Sequence, residues 1–153
     1  MDEEELRQYW QQIYDNIERE GQSLVSVFDD EESADSGEPP FIYTIGNHER
    51  GLPELLLVGA EAGEILNPLG YMMREQRRAP FRHGELVSLG GKFPVKIIDT
   101  TPEAKHFAAH VGIYYGTDDY RVQQVVLCDQ QGRFPGDPGC AEPYASHPVF
   151  ALT

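Results

Sequence analysis

Leu6, Tyr9, Trp10, Ile13, Tyr14 and Ile17 recur at spacings of three and four, with acids and glutamines between them. That period predicts an amphipathic helix over residues 3–20, stopped by Gly21. Ser23 to Phe28 is a short β-prone run. Residues 29–40 carry acids, serines and a Pro-Pro pair that bury nothing apolar and hold no ladder, so a mobile acidic loop is expected there. Phe41 to Ile45 and Glu54 to Val58 read as strands on either side of a polar turn.

Further along, Ile65, Leu66, Leu69, Met72 and Met73 keep a helical period through 62–77, although Pro68 and Gly70 weaken its middle. Glu85 to Leu89 and Phe93 to Ile98 flank Gly90-Gly91 as a hairpin would. Thr101, Pro102 and Glu103 form a helix start, with a hydroxyl cap, proline in the first turn and an acid at the positive end of the dipole. That helix is expected to run to about Tyr115. Arg121 to Cys128 is a β-branched strand, and 129–140 is stiffened by glycines and prolines. Strands in neighbouring pairs separated by helices predict a mixed α/β domain of the α+β class: one central, mainly antiparallel sheet, the N-terminal helix and two further helices.

The chain's 153 residues suit one domain with a core large enough to fold without staples. Cys128 and Cys140 form no C-x-x-C pair and fit a reducing compartment. The start of the chain lacks the basic region and apolar run of a signal peptide, and no apolar stretch is long enough for a membrane span. A soluble cytoplasmic protein is expected. The net charge of −14 is unevenly spread: residues 1–38 hold thirteen acids against two bases, whereas 39–153 hold thirteen against ten. Repulsion of nucleic acid is therefore concentrated in the first quarter, and direct nucleic-acid binding is not expected. Arg74, Arg77, Arg78 and Arg82 form a small basic cluster that reads as a solvated helix end or as an anion site.

Ionisable groups between two strand-like runs mark the turn at His48, Glu49 and Arg50 as the first candidate site. A histidine titrating near neutrality, a carboxylate and a guanidinium could serve as acid, base and anion clamp. Asn47 and Gly51 equally suit an ordinary solvated turn. Tyr43, Thr44, His83 and Glu85 would complete the pocket if the segment around His83 folds beside the turn. Two imidazoles and two carboxylates could then bind zinc, but no H-E-x-x-H regularity fixes such a geometry, and no metal or other cofactor is predicted. His106 and His110, four apart on a predicted helix, form another pair, with Phe107 and Val111 favouring a packed face. Asp129, Arg133 and Asp137 form a candidate binding loop whose alternative is a structural clamp, with Asp129 pairing to Arg133 and Phe134 plugging the core. Phosphate-loop, dinucleotide and nucleophile-elbow motifs are absent, and Cys140 has no neighbouring base.

Phe41-x-Tyr43-Thr44-x-Gly46, the run from Pro53 to Leu57, Leu66-Asn67, Gly84-Glu85, Gln123 to Val126, Asp129-x-x-Gly132-Arg133-Phe134-Pro135 and Asp137-x-Gly139-Cys140 follow one another in the order and spacing of a known family. Over residues 22–140, with a core at 41–140, the chain resembles the family called domain of unknown function 4262. The resemblance implies a one-domain bacterial or phage-borne cytoplasmic protein and supplies no activity. Gly136 stands where the family pattern has tryptophan, and the N-terminal cysteines of that pattern are missing, which counts against a metal site there.

Three functions follow as expectations. The first is a protein-binding or inhibitory module that presents Asp29, Asp30, Glu31, Glu32 and Asp35 to a basic partner, as a mimic of a polyanion acting on a host-defence or nucleic-acid-binding protein. The second is a small enzyme or ligand-binding domain built on the His48 pocket. The third, resting on element order alone, is a flavin or nucleotide binder of split-barrel type. The partner is expected to be another protein, not a membrane, and the amphipathic helix is expected to dock on the sheet or on a second copy of the chain.

Overall fold

The computed structural model describes residues 2–27, 40–59 and 63–151. Helix α1 spans Glu3–Glu20. Asp2 caps it by accepting from the Glu5 N–H at 2.8 Å, and Glu3, Glu4 and Glu5 lie at its positive end. Gly21 ends it in the left-handed region at φ 89°, its N–H closing on the Ile17 carbonyl. Ile13 and Ile17 are buried, with Tyr9 and Trp10 packed beside them, so the helix docks on its own sheet. Leu6 and Tyr14 stay outside.

The strands are β1 (Ser23–Val27), β2 (Phe41–Ile45), β3 (Glu54–Val58), β4 (Glu85–Val87), β5 (Val95–Asp99) and β6 (Val122–Val126). They form one sheet in the order β1-β2-β3-β6-β5-β4. Among the described residues β3 and β6 alone run parallel, with Glu54 opposite Val122, and the other pairs are antiparallel. β1 and β4 are the edges, so the sheet is open, and the element order that suggested a split barrel does not build one.

Both faces are covered, which is why β2 and β3 read as nearly continuous apolar runs. One core packs Ile13, Ile17, Tyr43, Leu56 and Val111; the other packs Leu55, Leu57, Leu66, Leu69, Met73 and Ile97. β2 and β3 have the limits that the sequence predicts. The helices do not. The helix expected over 62–77 is α2 (Leu66–Tyr71), after which the turns widen over Met72–Arg77. The helix expected from Thr101 to Tyr115 begins at Ala104 and breaks at Ala108, giving α3 (Ala104–Phe107) and α4 (Ala109–Tyr115). The carbonyl of Thr101 accepts the Ala104 N–H, and the expected hydroxyl cap is not formed. Among the described residues no helix is long and apolar enough to cross a membrane.

The parallel central pair sets where polar groups gather. β1, β3, β4 and β6 start at one end of the sheet, where β2 and β5 finish. The turn at 46–53, the segment leaving β5 and the approach to β6 therefore converge at that end.

Candidate functional site

The β2–β3 turn is organised from beneath. Gly46 has φ +133°, and a Cβ there would lie 2.7 Å from the Gly21 carbonyl oxygen, so only glycine lets the turn pass the end of α1. Glu54, wholly buried at the start of β3, accepts from the Thr44 hydroxyl at 2.8 Å and from the N–H groups of Gly46, Asn47 and His48 at 3.0–3.1 Å. Burial pushes its carboxyl up to about 7, against the pull of those four donors. The carboxylate thus fills the nest of backbone N–H groups that an outside anion would otherwise occupy.

Asn47 joins this turn to a buried guanidinium. Its amide donates to Thr44 Oγ1 and Gln22 Oε1, both at 3.1 Å, while Arg74 donates to Asn47 Oδ1 at 2.7 Å and Gln22 Oε1 at 2.6 Å. Gln22 in turn donates to the Leu66 carbonyl at 3.0 Å. Four elements meet through these side chains; Glu54 does not stand out in the sequence as a site residue, and Arg74 does so only as one of the four arginines of the basic cluster. Arg74 corrects the reading of the basic cluster as a solvated helix end: it is 7% exposed. Arg77 pairs with Glu85, and that bond holds the Glu85 carboxyl well below the usual carboxylate range.

The sequence-derived pocket is divided. Tyr43 lies in the core, its hydroxyl accepting from the His110 N–H at 3.3 Å, and Thr44 is fully buried under Glu54. His48 packs edge-on to the Tyr115 ring at 4.9 Å, and the Tyr115 hydroxyl donates to Glu49 at 2.8 Å. Arg50 faces Glu75 at 3.4 Å. His83 instead accepts the Asp99 N–H at 2.9 Å through Nδ1. β6 lies between β3, which follows His48, and β5, which holds His83. At about 4.8 Å per strand, their anchors are roughly 10 Å apart. They occupy the same end of the sheet without sharing a partner. His110 binds the Tyr9 hydroxyl at 2.6 Å, whereas His106 packs on Phe107. No group of three or more His, Cys, Asp or Glu side chains is arranged to hold a metal among the described residues.

A cleft of about 360 Å³ opens where the end of β5 and the start of β6 meet Pro53 and the start of α3. Asp99, Lys105, Asp119 and Arg121 bring two charges of each sign to its wall, beside Thr101, Tyr120 and Gln123. None of the four forms an ion pair among the described residues. Lys105 Nζ donates to the Asp118 carbonyl at 2.6 Å and lies over Tyr120, while Arg121 reaches the Gly51 carbonyl at 3.0 Å. Gln123 donates to Asp99 Oδ1 and to the Phe81 carbonyl; both are acceptors, so its amide cannot be turned round to satisfy Oε1, which has no partner. Tyr120 links the cleft to His48, with ring centres 6.5 Å apart. The sequence signal for this cleft was weak, because its charges are scattered over 99–121.

The loop at 129–140 turns its polar groups inward. Asp129 accepts from the N–H groups of Gln131, Arg133 and Ala141 and from Arg133 Nε, each at 2.9–3.0 Å. Burial would raise its carboxyl, but these bonds outweigh that effect and hold it low. Asp137 accepts the Phe134 N–H, and Phe134 packs with Ile98 and Val126. This is the clamp arrangement. Cys128 and Cys140 are free thiols. The candidate acidic interface, Asp29, Asp30, Glu31, Glu32 and Asp35, lies outside the described residues.

An open α+β sheet with a polar end and a charged cleft defines the class of fold. The model of the family described as domain of unknown function (DUF4262) matches residues 16–141, and the chain belongs to that family. No curated protein and no solved structure matches it.

Proposed function

We propose that the protein is a ligand-binding module for a small polar molecule carrying both a cationic and an anionic group, held in the cleft between β5, β6 and α3. The observation that carries this reading is the set of four charged side chains, Asp99, Lys105, Asp119 and Arg121, unpaired around one cavity of about 360 Å³. That volume suits a small metabolite. Opposite charges on one wall select a zwitterion over either ion alone, because each half of the ligand meets its complement. This is the ligand-binding alternative drawn from the sequence, with its residues moved from the His48 turn to the neighbouring cleft.

Free amino acids, compared with matched simple amines and carboxylates, are the probes. Saturable stabilisation by a zwitterion, worth about 2.7 kcal/mol at a hundredfold excess over Kd, should be abolished by Arg121→Ala and by Asp99→Asn. Equal melting shifts in wild type and both variants would reject the site.

A second reading is a protein-binding or inhibitory module, supported by the net charge of −11 over residues 1–38. In α1, Glu3, Glu4, Glu5, Asp15, Glu18 and Glu20 are all exposed. A basic partner is the complement of that surface.

A further inference from the structure

Arg74 is a buried cation whose charge is balanced by no carboxylate within ion-pair distance among the described residues. Leaving a buried charge in that state is costly unless something else supplies the opposite sign. Among the described residues its hydrogen bonds go to three neutral oxygens: Gln22 Oε1, Asn47 Oδ1 and the Glu20 carbonyl, the last at 3.2 Å. A guanidinium has five N–H donors, so two remain without an acceptor among the described residues.

The side chain also lines an open cleft of about 240 Å³ at the β1 edge, together with Glu20, Gln22, Asn67 and Tyr71. This cleft shares no lining residue with the larger one. The guanidinium is wedged in place. A Cβ on Gly21 would come within 2.6 Å of its Nε, and one on Gly70 within 2.7 Å of its terminal nitrogen. Its direction is therefore fixed before any ligand arrives, which lowers the entropic cost of binding. Asn67 uses Oδ1 to accept from Gln22 at 3.3 Å, which leaves its amide N–H groups as donors, and the half-exposed Tyr71 supplies a hydroxyl.

We propose that this cleft binds a small oxyanion, a carboxylate or a phosphate, on Arg74, Asn67 and Tyr71. The planar guanidinium suits the forked oxygens of either group. Glu20, on the same wall, opposes the ligand's charge and weakens binding.

Arg74 itself holds the fold together, so its replacement would confuse stability with binding. Two exposed positions give the test instead. Asn67→Asp keeps the oxygen that accepts from Gln22 and adds a negative charge; Glu20→Gln removes one. Inorganic phosphate and acetate are titrated against wild type and both variants at constant ionic strength, with chloride as the reference, and read by calorimetry and melting temperature. Phosphate stabilises proteins generally by exclusion from their surface, so saturation and the variant pattern carry the result. Saturable binding of phosphate, of acetate or of both is expected, weakened about tenfold or more by Asn67→Asp and strengthened by Glu20→Gln; the stronger probe identifies the anion. No saturable binding of either, or an affinity indifferent to both substitutions, would overturn the proposal.

Discussion

At the scale of single residues, Glu54 makes the sharpest claim. Its folded-state carboxyl lies at about 7 against an ordinary 4.5, and burial is the larger cause. Between those values the folded state holds a proton that the unfolded chain has lost, so stability must fall as pH rises through the window. The lowered pKa values of His110 and His147, which burial pushes down, act in the opposite direction. Melting curves from pH 5 to pH 8 for wild type and Glu54→Gln separate these contributions. The variant should be less stable, because one amide oxygen cannot accept all four donors, and its stability should fall less with rising pH. A wild-type slope no more negative than the variant's would mean that the four donors, not burial, decide the proton. Nothing in Pro53-Glu54-Leu55 announced this role: a carboxylate opening an apolar strand looks like a strand end, and its donors come from the turn before it. Arg74 was visible in the basic cluster, but its burial was equally illegible, since its partners Gln22 and Asn47 lie 52 and 27 residues away.

At the scale of elements, the legible parts were those whose stops are local. β2 and β3 keep their predicted limits because Gly46, Pro53 and Gly59 bound apolar runs buried on both faces. The segment after α2 departs from the α period. Gly70 passes so close to Gln22 Oε1 that a Cβ would come within 2.0 Å, and the following turns widen around buried Met73 and Arg74. That is a tertiary demand, invisible to periodicity. α1 was legible in full, and its period also says which side chains matter. Ile17 is 5% exposed and Leu6 is 44% exposed. Ile17→Ala should cost about 2–5 kcal/mol by opening a cavity against the sheet, while Leu6→Ala should change stability by no more than about 0.5 kcal/mol. Chemical denaturation measures both. Equal effects would mean that the helix is held by something other than its inward stripe.

At the scale of the whole molecule, charge and topology are separable. The parallel β3–β6 pair sends the loops with ionisable groups to one end of the sheet, whereas the excess negative charge belongs to the first quarter of the chain. If that quarter recognises a basic protein, long-range attraction should control how fast the two meet more than how tightly they hold. Changing Asp29, Asp30, Glu31, Glu32 and Asp35 to their amides takes the net charge from −14 to −9, five acids fewer. Association with a lysine- and arginine-rich protein captured from the native host should then slow by about tenfold or more at low salt and lose much of its salt dependence. The cleft ligand should bind as before, because the charges proposed to hold it are those of Asp99, Lys105, Asp119 and Arg121, which the substitutions leave in place. Stopped-flow association across a salt series, with the zwitterion titration beside it, reads both. An unchanged association rate at low salt would remove this segment from recognition and leave the exposed acids of α1 to account for any attraction of a basic partner.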